Sequence, residues 1–441
     1  MLKIAHVIER FGSAGPERSI LAWAKAAARA GLAQQHVVCP LTPAFSPLGL
    51  ALARQVGVEV VRTSAADVRD AVLTAADIVV VHFWNSPALY AFLRGPLPAM
   101  RLLVWLKIFG SHPPQVAPAA LHGFADLLVA TSPGTLALPA FAPHAATMPV
   151  VNGIADFDRL AGCEPQPHAG CCVGYVGGIS PGKIHPAFVQ MSAAVAAPGV
   201  RFVVCGADGE KLLGAQVQAA GAAGRFEFRG YVENICTVLA GCDIFGYPLA
   251  PDTYATSEKA LQEAMWVGLP PVVFPHGGVR YLVEEGVTGR VVETPRAYTQ
   301  AIDELCRNPA ERRRLGDNAR AFARVAFDPQ RAVTALAALC GQLLQRPKRE
   351  RAWPHDGDTP ADWFVAALGE HSDPFARSVQ GADASAEAEI AASSALLSRG
   401  EGGIIHYRNA YPDDPHLRRW AHLVTAAEAE GQKVQDGRAG A

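Results

Sequence analysis

What the chain lacks narrows the field first. No run of apolar residues approaches the roughly 20 that a membrane-spanning helix needs, so no integral membrane segment is expected, while peripheral membrane contact stays open. Neither sign of charge is in excess: 39 Lys plus Arg stand against 41 Asp plus Glu in 441 residues. That balance speaks against a nucleic-acid footprint and against a polybasic membrane anchor. Any anionic ligand must therefore be held by local geometry. The nine cysteines show neither metal spacing nor a disulfide framework, and with Cys171 and Cys172 among them they read as reduced core residues. There is no G-x-S-x-G elbow, no H-E-x-x-H and no Cys cluster, which argues against hydrolase and zinc chemistry. Asp156-Phe157-Asp158 and Asp356-Gly357-Asp358 imitate a divalent-metal pair but fall in a domain crossing and a linker, so they read as surface charge. No metal is expected. The first residues read as a strand rather than a basic leader with an apolar core, and the expected compartment is the cytoplasm.

What is there is a repeated α/β pattern. Short β-branched runs at residues 4–8, 36–39, 58–61, 77–82, 102–106 and 127–130 alternate with Ala-rich helical stretches, the mark of βαβ units around a buried parallel sheet. After a break rich in Pro, Gly and His at 165–170 the pattern restarts, with runs at 171–176, 200–205, 243–247 and 271–274. The expected fold is α/β: two doubly wound Rossmann-like domains facing a central crevice, plus a small mainly helical C-terminal extension. The expected divisions are 1–160, 161–345, a linker at 346–358 and a helical tail at 359–441. Asn308-Pro309 and Asp328-Pro329 should break residues 296–344 into separate helices that close the second domain. In the tail Trp363, Phe364, Trp420 and Leu423 fit a small core of its own.

The most informative segment is 243–278, DIFGYPLAPDTYATSEKALQEAMWVGLPPVVFPHGG. It reads as strand, loop, helix, strand and Gly-Gly turn. Thr256 and Ser257 are good N-cap types, so a helix from about Glu258 would open with free backbone N–H groups, a ready anion site. Gln262-Glu263-Ala264-Met265, then Gly268-Leu269-Pro270-Pro271-Val272-Val273 and Gly277-Gly278-Val279, together resemble the donor-site signature of retaining family 4 glycosyltransferases of the GT-B architecture. The similarity runs on through 284–289 and 313–320. Upstream, Tyr175-Val176-Gly177-Gly178-Ile179 with Pro181-Gly182-Lys183 resembles that family's phosphate-contacting turn. Phe228-Arg229-Gly230-Tyr231-Val232 resembles its base-contacting turn, and 151–156 its interdomain crossing. The resemblance covers residues 1 to about 345, strongly in the second domain, and does not reach the tail.

The resemblance implies a nucleotide diphosphate sugar as co-substrate, no other cofactor, and a glycan, lipid or protein acceptor. Glu263 would accept hydrogen bonds from the donor's ribose, a vicinal diol that suits an acceptor-only carboxylate. Lys183 would neutralise the diphosphate, whose departure concentrates negative charge. Two departures stand out: Ala255 replaces a first glutamate, and Gly178 an arginine. Glu258, rotated roughly 140° from Glu263 on an ideal helix, is a poor substitute for that glutamate; Asp252 is a freer candidate to contact the transferred sugar, and Arg280 to replace the arginine. In the first domain Gly12 and Gly15, in residues 11–18, resemble the glycine loop facing the crevice. His82, Trp84 and Asn85 should end a strand at the crevice edge. Lys107 follows the next strand, and His112 would take the place of a histidine that the family carries near Lys107. Two other readings fit the sequence: a GT-B epimerase or phosphorylase, and a nucleotide-sugar-binding or scaffold protein with impaired catalysis.

Overall fold

A computed structural model describes residues 1–439 apart from Ala14 and Pro181, with side chains up to residue 429. The first sheet contains β1 (Leu2–Ile8), β2 (Gln34–Pro40), β3 (Glu59–Val60), β4 (Ile78–Phe83), β5 (Leu102–Leu106) and, beyond a short hairpin of β6 (Ser111–His112) and β7 (Gln115–Val116), β8 (Leu127–Val129). The second contains β9 (Cys172–Val176), β10 (Arg201–Cys205), β11 (Phe226–Gly230), β12 (Ile244–Tyr247), β13 (Pro271–Val273) and β14 (Arg290–Val291). The strand orders are β3-β2-β1-β4-β5-β8 and β11-β10-β9-β12-β13-β14, and every neighbouring pair in both is parallel. Each sheet thus reverses direction once, between β1 and β4 and between β9 and β12. Open parallel sheets bind ligands at such switch points, outside the carboxyl ends of the strands. The apolar runs explain the burial, since a strand such as Ile78–Phe83 is buried at every position because helices cover both faces.

The helices after residue 295 depart from expectation in one respect. Asn308 and Asp328 do cap new helices, accepting from Glu311 N and Gln330 N. The helix Pro329–Leu344, however, leaves the second domain and packs on the first. Its Val333, Leu336, Leu339, Cys340 and Leu343 share a core with Ile4, Trp23, Val80 and Trp105. Its apolar stripe matches the uncovered face of the first sheet, information that local periodicity does not contain.

Residues 346–358 are not a solvated linker either. Arg349 and Arg351 converge on Asp126 at 2.6 and 2.7 Å, and Trp353 stands edge-on to Phe124. Asp356, expected as surface charge, accepts from Tyr90 Oη at 2.6 Å and Trp353 Nε1 at 2.9 Å and pairs with Arg94. The segment is a strap held on the first domain by ion pairs with residues far upstream. The tail then folds about its own core of Phe364, Leu368, Phe375, Tyr407 and Trp420, with Leu423 packed against it; Trp363 lies beside Tyr411.

Candidate active site

On the second domain the site is built around the loop between β12 and the helix Lys259–Val267. Thr256 and Ser257 do not cap that helix. Glu258 is its N-cap residue, in left-handed backbone at φ 36° and ψ 76°, with no capping bond from its side chain. Such a conformation in a non-glycine residue costs on the order of 1–3 kcal/mol and persists only where surroundings hold it. Here Lys183 Nζ donates to Glu258 Oε2 at 2.6 Å and Tyr247 Oη donates to the same oxygen. Burial opposes both charges, but each raises the other's charged population, so Lys183 is held above and Glu258 below its ordinary pKa. Thr256 is buried with its hydroxyl unpartnered among the described residues, and Ser257 Oγ abuts Gly153 across the crossing.

Glu263 lies inside the helix, 8% exposed. Burial raises its pKa, opposed by Arg159, Arg18 and Lys259; the Arg159 guanidinium is 3.7 Å away. Arg18, from the first domain, donates to Tyr231 Oη at 3.0 Å, so the glycine loop and the expected base-contacting turn meet across the crevice. Val232 beside it is half-buried. The Gly177–Gly178 turn sits at the end of β9, where Gly178 O accepts from Tyr175 Oη at 2.7 Å. Pro181 and Ala14 lie outside the described residues.

Several expected residues are placed differently. Arg280 is exposed and, among the described residues, makes no ion pair or hydrogen bond. The Gly277–Gly278 turn instead supports the loop, with Gly278 N donating to Ala255 O at 2.8 Å. Asp252 is half-buried, and its charge acts on His112, whose pKa is lowered by burial, raised by Asp252 and lowered further by His371 and His276. His112 therefore belongs to a hairpin that meets the second domain and the tail, rather than replacing a residue beside Lys107.

In the first domain Gly12 N donates to Glu17 Oε1 at 3.1 Å, and Gly15 opens the helix Gly15–Arg29. His82 is not at the crevice edge but fully buried, at one end of a row: its Nε2 meets His6 Nδ1 at 3.0 Å, and His6 Nε2 meets His36 Nδ1 at 2.9 Å. Lys107 Nζ lies over the Trp105 ring at 2.9 Å from its centre and has no hydrogen-bond partner among the described residues. Trp84 donates to Glu9 Oε2 at 2.9 Å. Asn85 is spent on holding the hairpin and the tail: its amide donates to Pro114 O at 2.7 Å and its Oδ1 accepts from Tyr407 Oη at 3.2 Å. Asp156 and Asp158 take Lys25 at 2.8 and 2.7 Å, a salt-bridge role. No group of three or more His, Cys, Asp or Glu that could hold a metal occurs among the described residues.

Two contributors were not singled out from the sequence. Lys259 reaches the first-domain wall, its Nζ 3.5 Å from where a Gly153 Cβ would stand and 3.7 Å from that of Gly15. Its position directly after Glu258 is the only local signal. The other is the tail, whose Leu396 packs on Gly182, so closely that a Cβ there would stand 2.7 Å from its methyls. Nearby Glu401 pairs with Arg10, and its carbonyl accepts from Gln115 Nε2. The tail thus touches both sides of the crevice mouth.

The two sheets with their switch points facing one crevice, and the helix that crosses back, define the GT-B architecture. Residues 170–308 match the family described as Glycosyl transferases group 1, and the chain is a GT-B-fold protein related to that family through its second domain. Among solved structures it is similar to HepE of Anabaena in complex with UDP and glucose, at 19% identity and a TM-score of 0.64 over 78% of this chain and 100% of that one. It is similar also to a glycosyltransferase of Rickettsia africae, at 12% identity and a TM-score of 0.64 over 78% and 99%. The sucrose-phosphate synthase of Thermosynechococcus elongatus superposes at 17% identity and a TM-score of 0.61 over 78% and 100%. No curated protein matches the chain in sequence. No described helix is long and apolar enough to cross a membrane.

Proposed function

We propose that the protein transfers a hexosyl-type sugar, with retention and without a metal, from a nucleotide diphosphate sugar to an acceptor hydroxyl on a glycan, lipid or protein. The observation that carries this reading is Glu263: a buried carboxylate on the matched domain, opposite Arg159 and Arg18, beside a helix N-terminus that opens on the crevice. In this reading Glu263 accepts from the donor ribose, Tyr231 and Val232 flank the base, and the diphosphate lies between Gly177–Gly178 and the helix Lys259–Val267. The acceptor enters from the Gly12–Gly15 side. Its oxygen attacks the anomeric carbon on the face that the diphosphate leaves; the carbon–oxygen bond to the diphosphate breaks, and the hydroxyl proton passes to a diphosphate oxygen. Protein groups supply positioning and charge in a crevice closed to water. The free cysteines suit a reducing compartment such as the cytoplasm.

The Lys183–Glu258 pair favours a second reading, a donor-binding protein with weakened catalysis, because it neutralises a cation expected at the diphosphate. Calorimetry against UDP, GDP and ADP, followed by turnover with the matching sugar donors, separates the two. Binding of one diphosphate with transfer or donor hydrolysis supports the enzyme; binding without any turnover supports the second reading; no binding removes both.

A further inference from the structure

The cations around the crevice fall into two groups. Lys183 is committed to Glu258 at 2.6 Å, Arg159 lies 3.7 Å from Glu263 and Arg10 is paired with Glu401. Lys259 makes neither an ion pair nor a hydrogen bond among the described residues; of the other cations without such a partner, Arg280 is exposed and Lys107 lies over the Trp105 ring inside the first domain. The Lys259 ammonium lies against the first-domain wall at Gly15 and Gly153, where it reaches from the start of the helix Lys259–Val267 towards the start of the helix Gly15–Arg29. Helix N-termini carry partial positive charge, so a third cation between two of them is favourable only when an anion joins it. Burial accordingly lowers its pKa to about 8, against the pull of Glu258, Glu263 and Glu17.

We propose that Lys259, rather than Lys183, is the cation that meets the diphosphate of the donor. The inference rests on the glycosyl-transfer reading above. For Lys183 to engage a phosphate it must leave Glu258, and breaking a buried pair strands an uncompensated charge. Engagement of Lys259 breaks no existing pair. The left-handed backbone at Glu258 sends its carboxylate to Lys183 and Tyr247, which separates the neutral pair from the free cation one residue later.

The test is calorimetry of UDP, GDP and ADP, with the corresponding nucleosides as controls, on the wild-type chain, Lys259→Met, Lys259→Arg and the double variant Lys183→Met with Glu258→Gln. Removing both members of the pair avoids a stranded carboxylate. Lys259→Met is expected to weaken the preferred diphosphate by at least about tenfold and its nucleoside not at all, Lys259→Arg to recover most of the loss, and the double variant to stay within about threefold of wild type. Diphosphate binding by Lys259→Met within about threefold of wild type overturns the inference while leaving the glycosyl-transfer reading intact. A loss in the double variant as large as in Lys259→Met overturns the preference for Lys259 over Lys183. A wild-type chain that binds none of the three diphosphates removes the reading and the inference together.

Discussion

In the first domain three histidines stand in a row inside the sheet, covered by Trp23 and Trp105; in the second, built on the same strand order, the ionisable groups gather at the strand ends around the crevice. Topology alone therefore does not distribute polar chemistry. His6, His36 and His82 use one another as hydrogen-bond partners, which lets an interior accept them as neutral rings. Lys183 and Glu258 pair with each other across separate elements, while Glu263 faces Arg159 at 3.7 Å and Lys259 stands unpaired among the described residues. The first arrangement serves stability; on the proposed reading the second serves recognition.

Acid should expose that difference most strongly. Burial holds His36 near a pKa of about 4, and His6 and His82 lie well below their ordinary value of 6.5. The unfolded chain therefore binds more protons than the folded one below pH 6.5, so the stability contributed by these neutral rings is complete above that pH and is lost as pH falls towards 4. His36 alone accounts for on the order of 3 kcal/mol across that window. Thermal unfolding followed from pH 7 to pH 4 should show a steep decline, and His36→Asn should flatten it by about one proton. A melting temperature that holds steady down to pH 5 would contradict the neutral row.

The second domain should respond in affinity instead of stability. Glu263→Ala removes the carboxylate proposed to accept from the ribose and should weaken diphosphate binding by about 2 kcal/mol, or roughly 30-fold. Because burial raises the Glu263 pKa, losing this carboxylate should leave the melting temperature unchanged or slightly higher. A large drop in stability without loss of binding would make Glu263 a structural residue and erase the contrast.

The sequence carried the second domain well because its signals are local. β-branched runs marked the strands, and the order of motifs between residues 243 and 278 marked the strand, loop and helix that carry Glu263. What stayed hidden depended on partners distant in the chain. The strap at 346–358 reads as a linker until Asp126, more than two hundred residues earlier, meets Arg349 and Arg351. His82 reads as a crevice residue because strand ends face the crevice; only the adjacency of β4 to β1 makes His6 its partner, and that of β1 to β2 adds His36 to the row. Thr256 and Ser257 are better caps by residue type than Glu258, yet the N-cap is Glu258, whose side chain is turned to Lys183, a partner far upstream in the chain. The tail had no motif at all, and its contacts with Asn85 and Gly182 are tertiary.

The tail is the smaller way to sharpen the comparison, since it fastens to the buried polar groups of the first domain and reaches the second through Leu396. Tyr407→Phe deletes one hydroxyl and leaves Asn85 Oδ1 short of a donor at a buried position, a loss of about 1 kcal/mol. Hydrogen exchange in the tail helices should quicken by about fivefold while both sheets keep their protection. Equal acceleration in the sheets would show that the tail belongs to the same cooperative unit as the first domain.

The smallest effect should come from chelation. A divalent ion at a diphosphate needs hard oxygen ligands, typically one or two carboxylates with waters. Of the crevice carboxylates, Glu258 is engaged by Lys183 and Tyr247, and Glu263 is buried with its charge opposed by desolvation. Cationic side chains and a helix N-terminus offer the neutralisation that an ion would otherwise bring. EDTA should therefore leave both diphosphate affinity and sugar transfer unchanged. An activity that falls with EDTA and returns with magnesium or manganese would mean that the phosphates bring an ion with them, and Glu258 would then be the first carboxylate to test, through Glu258→Gln.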